Sequence, residues 1–189
     1  MGFAVIYDAC VLFPAPLRDL LIRLAQTDIV QARWTDEILD ECFRNIAARR
    51  PELDVASLSR TRALMNDAVR DCLVTGYQGM ADGLALPDAD DRHVVAAAIR
   101  SGSQAIVTFN LKDFPAATLE PLGIEAVHPD DFVADLLDLA PAVVVQVLDA
   151  QATALRNPPR RLEDLLATLE NNGLAKSMAE VQRLRGQGR

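Results

Sequence analysis

The chain has 189 residues, of which half are hydrophobic, and this is enough to build a core and argues against extensive disorder. Lys and Arg number 19 against 27 Asp and Glu, so the net charge of -8 excludes a nucleic-acid-binding surface that is basic throughout, although a local basic rim is still allowed. The cysteines number three and lack CxxC spacing, which favours reduced thiols over a disulfide framework or a zinc site.

The hydropathy pattern gives no indication of membrane insertion. The longest charge-free apolar stretch near the C-terminus, 139–148, is about half of the roughly 20 residues that a membrane-spanning helix needs. The first eight residues contain no basic segment and their apolar run ends at Asp8, so a signal peptide is not expected. A cytoplasmic location is therefore predicted.

Short apolar runs alternate with helical patterns through the first two thirds of the chain. Strands are predicted at 3–7 and 29–34, and helices at 16–25, at 35–50 and from Asp54 or Ser57 to about Val74. An ambiguous segment then allows a strand at 84–86, and a small-residue helix at 94–99 precedes strands at 104–108 and 124–127. This order predicts an α/β fold with a parallel sheet flanked by helices.

The remainder of the chain has helical patterns only. Helices are predicted at 130–139, 142–155, 162–171 and 175–185, with breaks at 157–159 and 171–173. We therefore expect an α/β domain over residues 1–130 and an all-helical C-terminal extension over 131–189, which packs on the core of the domain.

Acidic residues stand where predicted strands end or helices begin. Asp8 closes the first strand, Glu41 lies on the helix at 35–50, and Asp91 opens the helix at 94–99. Ligands of open α/β sheets bind outside the carboxyl ends of the strands, and Asp8 and the turn 108–110 fall at that edge. Several carboxylates repel one another there unless a cation lies between them, and Mg²⁺ or Mn²⁺ prefers such oxygen ligands.

Each of these residues also has an ordinary structural explanation when it is taken alone. Asp88, Asp90 and Asp91 are typical partners of a helix N-terminus. Glu41 in a mixed-charge helix is typically solvated, and Asp113 after Lys112 is typical of a turn. The joint pattern is what favours a site.

That joint pattern resembles the PIN-domain family, which includes the VapC-type ribonuclease toxins of bacterial toxin–antitoxin pairs. The resemblance lies in Asp8 after the opening strand, Glu41 on a later helix, and the segments DADDRHVVAAA (88–98) and IVTFNLKDF (106–114). It covers roughly residues 3 to 130 and is most specific in the Val-Thr-x-Asn-x-x-Asp-Phe stretch.

The resemblance implies a metal-dependent endoribonuclease that hydrolyses RNA phosphodiester bonds with Mg²⁺ or Mn²⁺. Asp8, Glu41 and Asp91 match three acidic ligands of the family's site, and together with Asp113 they are the expected catalytic carboxylates. At the fourth ligand position this chain has Asn110, where many relatives carry Asp. Asn110 offers a carbonyl oxygen with one fewer negative charge, or Asp113 supplies that charge instead.

The hydroxyl of Thr108 is expected to contact water or the metal ion. Three basic side chains are expected to bind the RNA. Arg44, Arg49 and Lys112 lie near the acidic residues and are expected to contact RNA phosphates, because such contacts depend on position more than on global charge. The alternative is that Arg44, Arg49 and Arg50 form surface ion pairs with Asp40, Glu41 and Glu52. The expected partners are an RNA (tRNA, rRNA or mRNA), a cognate protein antitoxin and, by analogy with the family, a second copy of the chain.

Three other function classes are alternatives to the nuclease. A catalytically inactive PIN-fold protein-binding module would use the same acidic edge to dock a basic partner. A phosphatase that attacks phosphorus with a carboxylate needs Asp-x-Asp after the first strand, whereas this chain has Asp8-Ala9-Cys10. Nucleotide-binding folds are disfavoured because neither GxGxxG nor GxxxxGK[ST] occurs.

Overall fold

The computed structural model describes residues 3–156 and 161–187. Within these ranges, the strands are β1 (Phe3–Tyr7), β2 (Val30–Arg33), β3 (Ala105–Val107) and β4 (Glu125–Val127). They form one sheet in the order β2-β1-β3-β4, and all three pairings are parallel. The prediction of a parallel sheet in an α/β fold is confirmed.

The helices lie between and after these strands. They are α1 (Ala9–Leu12), α2 (Ala15–Ala25), α3 (Asp36–Arg49), α4 (Val55–Ala68), α5 (Arg92–Ser101), α6 (Ala116–Leu119), α7 (Pro129–Leu139), α8 (Pro141–Ala154), α9 (Leu162–Asn171) and α10 (Ala175–Gln187). Short 3-10 turns lie at Gln78–Met80, Leu111–Asp113 and Glu120–Leu122. No helix in the described ranges is both long and apolar enough to cross a membrane.

The structure corrects two predicted elements. The strand at 84–86 is wrong: the amide of Leu84 donates to the carbonyl of Ala81 at 3.2 Å, which closes a turn. The helix predicted to reach Val74 ends at Ala68. Asp71 then has a positive φ of 54°, and the residues after it run extended beside Trp34, whose amide donates to the carbonyl of Cys72 at 2.8 Å.

The small residues of α5 explain how the sheet is covered closely on one side. Val94, Val95, Ala96, Ala97 and Ala98 are fully buried, and α5 packs on β1 and β3. These two strands are the inner strands of the sheet. All of β3 and residues 5–7 of β1 are buried, as expected for a parallel sheet covered by helices.

The C-terminal helices α7 to α10 confirm the predicted all-helical region. Helices α8 and α9 pack on α2, while α10 packs on α7 and α9. Their buried side chains belong to the same hydrophobic cluster as those of the sheet. The division into domains at residue 130 stays a prediction, and the predicted break at 157–159 lies outside the described residues.

The topology brings the ends of several elements to one edge. Asp8, Thr108 and His128 directly follow β1, β3 and β4, so all three stand at the carboxyl edge of the sheet. Helix α3 starts at that edge after β2, with Thr35 as its N-cap, and the Thr35 hydroxyl accepts a hydrogen bond from the amide of Ile38 at 3.0 Å.

Candidate active site

Asp8 is the most buried acidic residue at this edge, with 5% of its surface exposed. Its Oδ1 accepts a hydrogen bond from the amide of Ala9 at 2.7 Å, which caps α1. Its Oδ2 accepts from the hydroxyl of Thr108 at 2.7 Å and from the thiol of Cys10 at 3.1 Å. Three donors therefore fix the orientation of this carboxylate.

Thr108 and Cys10 connect the loop after β3 to Asp8. Thr108 is fully buried, and its Oγ1 accepts a hydrogen bond from the amide of Asn110 at 2.9 Å. The amide of Phe109 donates to Cys10 Sγ at 3.3 Å. Burial and the charge of Asp8 raise the pKa of Cys10 to about 12, so the thiol stays protonated as a donor. The sequence analysis missed this role of Cys10; its only signal was the two-residue spacing from Asp8.

Glu41 reaches the same site from α3. The buried face of this helix holds residues such as Ile38, Cys42 and Phe43, which leaves Glu41 half-buried at its margin. Burial raises the pKa of Glu41, and the charge of Asp8 raises it further, while Arg44 opposes the shift. The predicted alternative of a fully solvated Glu41 does not describe this environment.

Asp91 stands at the N-terminus of α5, but its side chain makes no capping hydrogen bond there. Burial raises its pKa to about 7, and the charges of Asp8, Asp88, Asp113 and Glu41 act in the same direction. Asp91 therefore lies at the helix N-terminus, as its ordinary explanation expects, but no capping hydrogen bond occupies its carboxylate, which is available for another partner.

The acidic residues thus form one electrostatic cluster, although not a preformed cage. In addition to burial, the negative charge of Asp8 raises the pKa of both Glu41 and Asp91, and the charge of Asp113 raises that of Asp91. The backbone amide of Asn110 donates a hydrogen bond to Thr108, which binds Asp8. Within residues 3–156 and 161–187, no three Asp, Glu, His or Cys side chains converge closely enough to hold a metal ion as they stand. The donor set nevertheless suits a divalent cation, because it consists of hard oxygens whose negative charges are only partly compensated.

Three predicted phosphate contacts lie around this cluster. Arg44 is exposed and lines the same cavity as Glu41. The Arg49 guanidinium lies 5.1 Å from the centre of the Phe13 ring. Both residues line a second cavity of about 260 Å³, which Glu41 also lines. Lys112 is exposed in the 3-10 turn that contains Asp113.

The alternative of surface ion pairs holds for only part of this region. Arg50 pairs with Glu52, as that alternative expects. The carboxylate of Asp40 instead binds Arg62 of α4. The charge of Arg44 opposes the raised pKa of Glu41, and no ion pair of Arg44 occurs among those of the described residues, so Arg44 is available to a ligand.

Comparisons with known proteins agree with this geometry. The PIN domain family profile matches residues 4–112, which is more than half of the chain, and the profile of the VapC50 C-terminal domain matches residues 129–183. A Mycobacterium tuberculosis (strain H37Rv) protein named "Putative ribonuclease VapC50" is 46% identical over 79 residues, covering 42% of this chain and 47% of that relative. The chain thus matches about half the length of this relative. No solved structure matches the chain. The chain belongs to the PIN-domain family.

Proposed function

We propose that the protein is a metal-dependent endoribonuclease that hydrolyses RNA phosphodiester bonds and serves as the toxin of a toxin–antitoxin pair. The observation that carries this proposal is the cluster of incompletely compensated carboxylates at the carboxyl edge of a PIN-domain sheet. The name of the 46% identical relative supports the same activity, over the part of the chain that it matches.

Asp8, Glu41 and Asp91 would hold Mg²⁺ or Mn²⁺, with the side-chain carbonyl of Asn110 or the carboxylate of Asp113 completing the set. When bound, such an ion makes water more acidic and draws charge from phosphoryl oxygens. The raised pKa values of Glu41 and Asp91 support this assignment, because burial and then the neighbouring negative charges disfavour the ionised carboxylates, which a cation would stabilise.

The remaining residues position these groups and the RNA. Thr108 and Cys10 hold the Asp8 carboxylate in one orientation through their hydrogen bonds. A carboxylate of the cluster would accept a proton from the attacking water, whose oxygen forms a new bond to phosphorus. The P–O bond to the leaving oxygen breaks, and that oxygen takes up a proton. Arg44, Arg49 and Lys112 contact RNA phosphates on either side of the cleaved bond.

The proposed partners follow from this function. They are an RNA (tRNA, rRNA or mRNA), a cognate protein antitoxin, and a second copy of the chain in a homodimer. The match of residues 129–183 to the VapC50 C-terminal domain supports a toxin that carries a helical extension in addition to its nuclease domain.

The decisive experiment is incubation of the purified protein with total tRNA, rRNA and mRNA, in Mn²⁺ and in chelator, beside the Asp91→Asn variant. We expect discrete cleavage products with the wild type in Mn²⁺ only. A folded wild-type protein that leaves all three RNA classes intact, and whose melting temperature does not rise with Mn²⁺, would contradict the proposal. That result would leave the catalytically inactive binding module as the function of this fold.

A further inference from the structure

A polar cavity opens beside the acidic cluster, between α3, α5 and the 3-10 turn at Gln78–Met80. Its volume of about 570 Å³ lies within the range of roughly 300–1,000 Å³ that is typical of small-ligand sites. Glu41 and Asp90 form one wall, so the cavity begins where the proposed cleavage takes place. A nucleotide beside the cleaved bond would extend into it.

The lining of the cavity also contains a hydrogen-bonded group that the proposed cleavage does not use. The hydroxyl of Tyr77, a residue with only 5% of its surface exposed, donates to Glu37 Oε2 at 3.0 Å. The Nδ1 atom of His93 lies 3.7 Å from the same oxygen, and only 11% of the His93 side chain is exposed. The hydrogen bond from Tyr77 therefore fixes one oxygen of Glu37, and the His93 ring lies beside that oxygen without a hydrogen bond to it.

Arg92 Nε is also buried and, like His93 Nδ1, has no hydrogen-bond partner within the described residues; Arg92 lines the same cavity. Glu37 itself is half-exposed, and Tyr77 is its only hydrogen-bond donor in the described part of the chain. Because Tyr77 binds Oε2 and Glu37 lines the open cavity, Glu37 can accept a further hydrogen bond there. Buried polar atoms without partners such as Arg92 Nε are uncommon, which supports a ligand in this cavity.

The charges of the cavity determine which part of a nucleotide fits. Glu37, Asp40 and Asp82 line it, so a phosphate group would be repelled from its interior. A neutral base with N–H donors would instead bind the Glu37 carboxylate. Adenine, cytosine and guanine each carry an exocyclic amino group, whereas the N3–H of uracil is flanked by two carbonyl oxygens that a carboxylate repels.

We propose that this cavity is a nucleobase subsite, in which Glu37 selects a base with an exocyclic amino group next to the cleaved phosphodiester. Tyr77 holds the Glu37 carboxylate by a hydrogen bond, and His93 lies beside it. The proposal rests on the proposed endoribonuclease function and specifies its substrate. Arg44 at the rim of the cavity is placed to contact the phosphate of the same nucleotide.

The first test measures binding of AMP, CMP, GMP and UMP to the full-length protein in Mg²⁺ by calorimetry, so that it does not depend on cleavage. We expect at least one of the amino-bearing nucleotides to bind about tenfold more tightly than UMP, which is the effect of one hydrogen bond to a charged group. Glu37→Gln should remove that difference. Equal affinities for all four nucleotides, or a preference that Glu37→Gln leaves unchanged, would overturn the proposal.

Asp36→Asn provides the matched control. It makes the same change of charge in the same turn of α3, but the Asp36 carboxylate binds Arg62 and does not line the cavity. Asp36→Asn should keep the base preference of the wild type. Melting temperatures of both variants establish that they are folded.

The second test maps the cuts that the wild type and Glu37→Gln make in an RNA of random sequence. The wild type should show a base preference at one position beside the cut, and Glu37→Gln should weaken it. An unchanged preference would reject the subsite while leaving the nuclease intact. A wild type that binds the nucleotides selectively but cuts no RNA would instead reject the nuclease and retain a base-binding cavity.

Discussion

Gly173, in the turn between α9 and α10, packs against the edge of the Phe109 ring, so that a methyl group on Gly173 would lie 3.0 Å from Phe109 Cε1. The ring of Phe109 also packs edge-on against His128, with ring centres 5.2 Å apart. Phe109 follows Thr108, whose hydroxyl binds Asp8. The C-terminal helices therefore contact the residue next to the candidate active site.

Gly173→Ala tests the importance of this contact. The φ of Gly173 is +97°, a conformation that alanine rarely adopts, and the added methyl group would displace Phe109. We expect a loss of about 1–3 kcal/mol in the free energy of unfolding, measured with urea, together with slower RNA cleavage.

Gly186→Ala is the control for that substitution. Gly186 lies in α10 and has no atom within 4 Å of an added methyl group. Alanine there should be neutral or stabilise the protein by up to about 1 kcal/mol, because it favours the helix. A Gly173→Ala protein that is as stable and active as the wild type would show that the Phe109 contact is dispensable.

Much of this arrangement could be predicted from the sequence, because it depends on local patterns and on one topological rule. Parallel strands at 3–7 and 104–108 must bring Asp8 and Thr108 to the same edge, and the helix before the second strand must begin at that edge with Asp91. The contacts of Cys10 and of Gly173 could not be predicted, because they depend on how distant segments pack. The same holds for Arg62, which binds acidic side chains of α3 only because α4 lies against it.

Asp8→Asn and Asp91→Asn should have the same effect on cleavage and opposite effects on stability. Each removes one proposed metal ligand, so cleavage should fall by more than the roughly 10–100-fold typical of outer-shell partners. Asp8→Asn places an amide among the donors Thr108 and Cys10, and should lower the free energy of unfolding by about 1–3 kcal/mol. Asp91→Asn removes a repelled carboxylate and should leave the metal-free protein as stable as the wild type or more stable.

Urea unfolding in chelator and an RNA cleavage assay in Mn²⁺ measure these two effects. If Asp91→Asn cleaves RNA at the wild-type rate, Asp91 is not a ligand of the proposed ion. If Asp91→Asn destabilises the metal-free protein as much as Asp8→Asn does, the carboxylate of Asp91 has a structural partner that the repulsion argument does not include.

The stability of the metal-free protein should decrease as the pH rises towards neutrality. The pKa of Asp91 is raised from 3.8 to about 7, so between these values the folded state binds more protons than the unfolded state. The free energy of unfolding therefore falls with increasing pH across this window, and Glu41 contributes in the same direction.

Melting temperatures in chelator at about pH 5 and about pH 7 measure this dependence. The Asp91→Asn variant is the reference, because burial lowers the pKa of His93 and makes its own contribution rise with pH in both proteins. Mg²⁺ competes with protons for the carboxylates, so it should stabilise the wild type more at the higher pH. An Asp91→Asn variant with the same pH dependence as the wild type would contradict the assigned direction of the Asp91 pKa.

Arg44→Ala should weaken RNA binding and reduce its dependence on salt. Each phosphate contact to single-stranded RNA contributes about 0.7 to the slope of log K against log salt concentration, so loss of Arg44 should reduce the slope by about that amount. The measurement uses the Asp91→Asn background, in which the RNA stays intact. Arg50→Ala is the control, because Arg50 pairs with Glu52, and its slope should equal that of the parent. Equal slopes for both variants would place Arg44 outside the RNA contact surface and leave Arg49 and Lys112 as the remaining candidates.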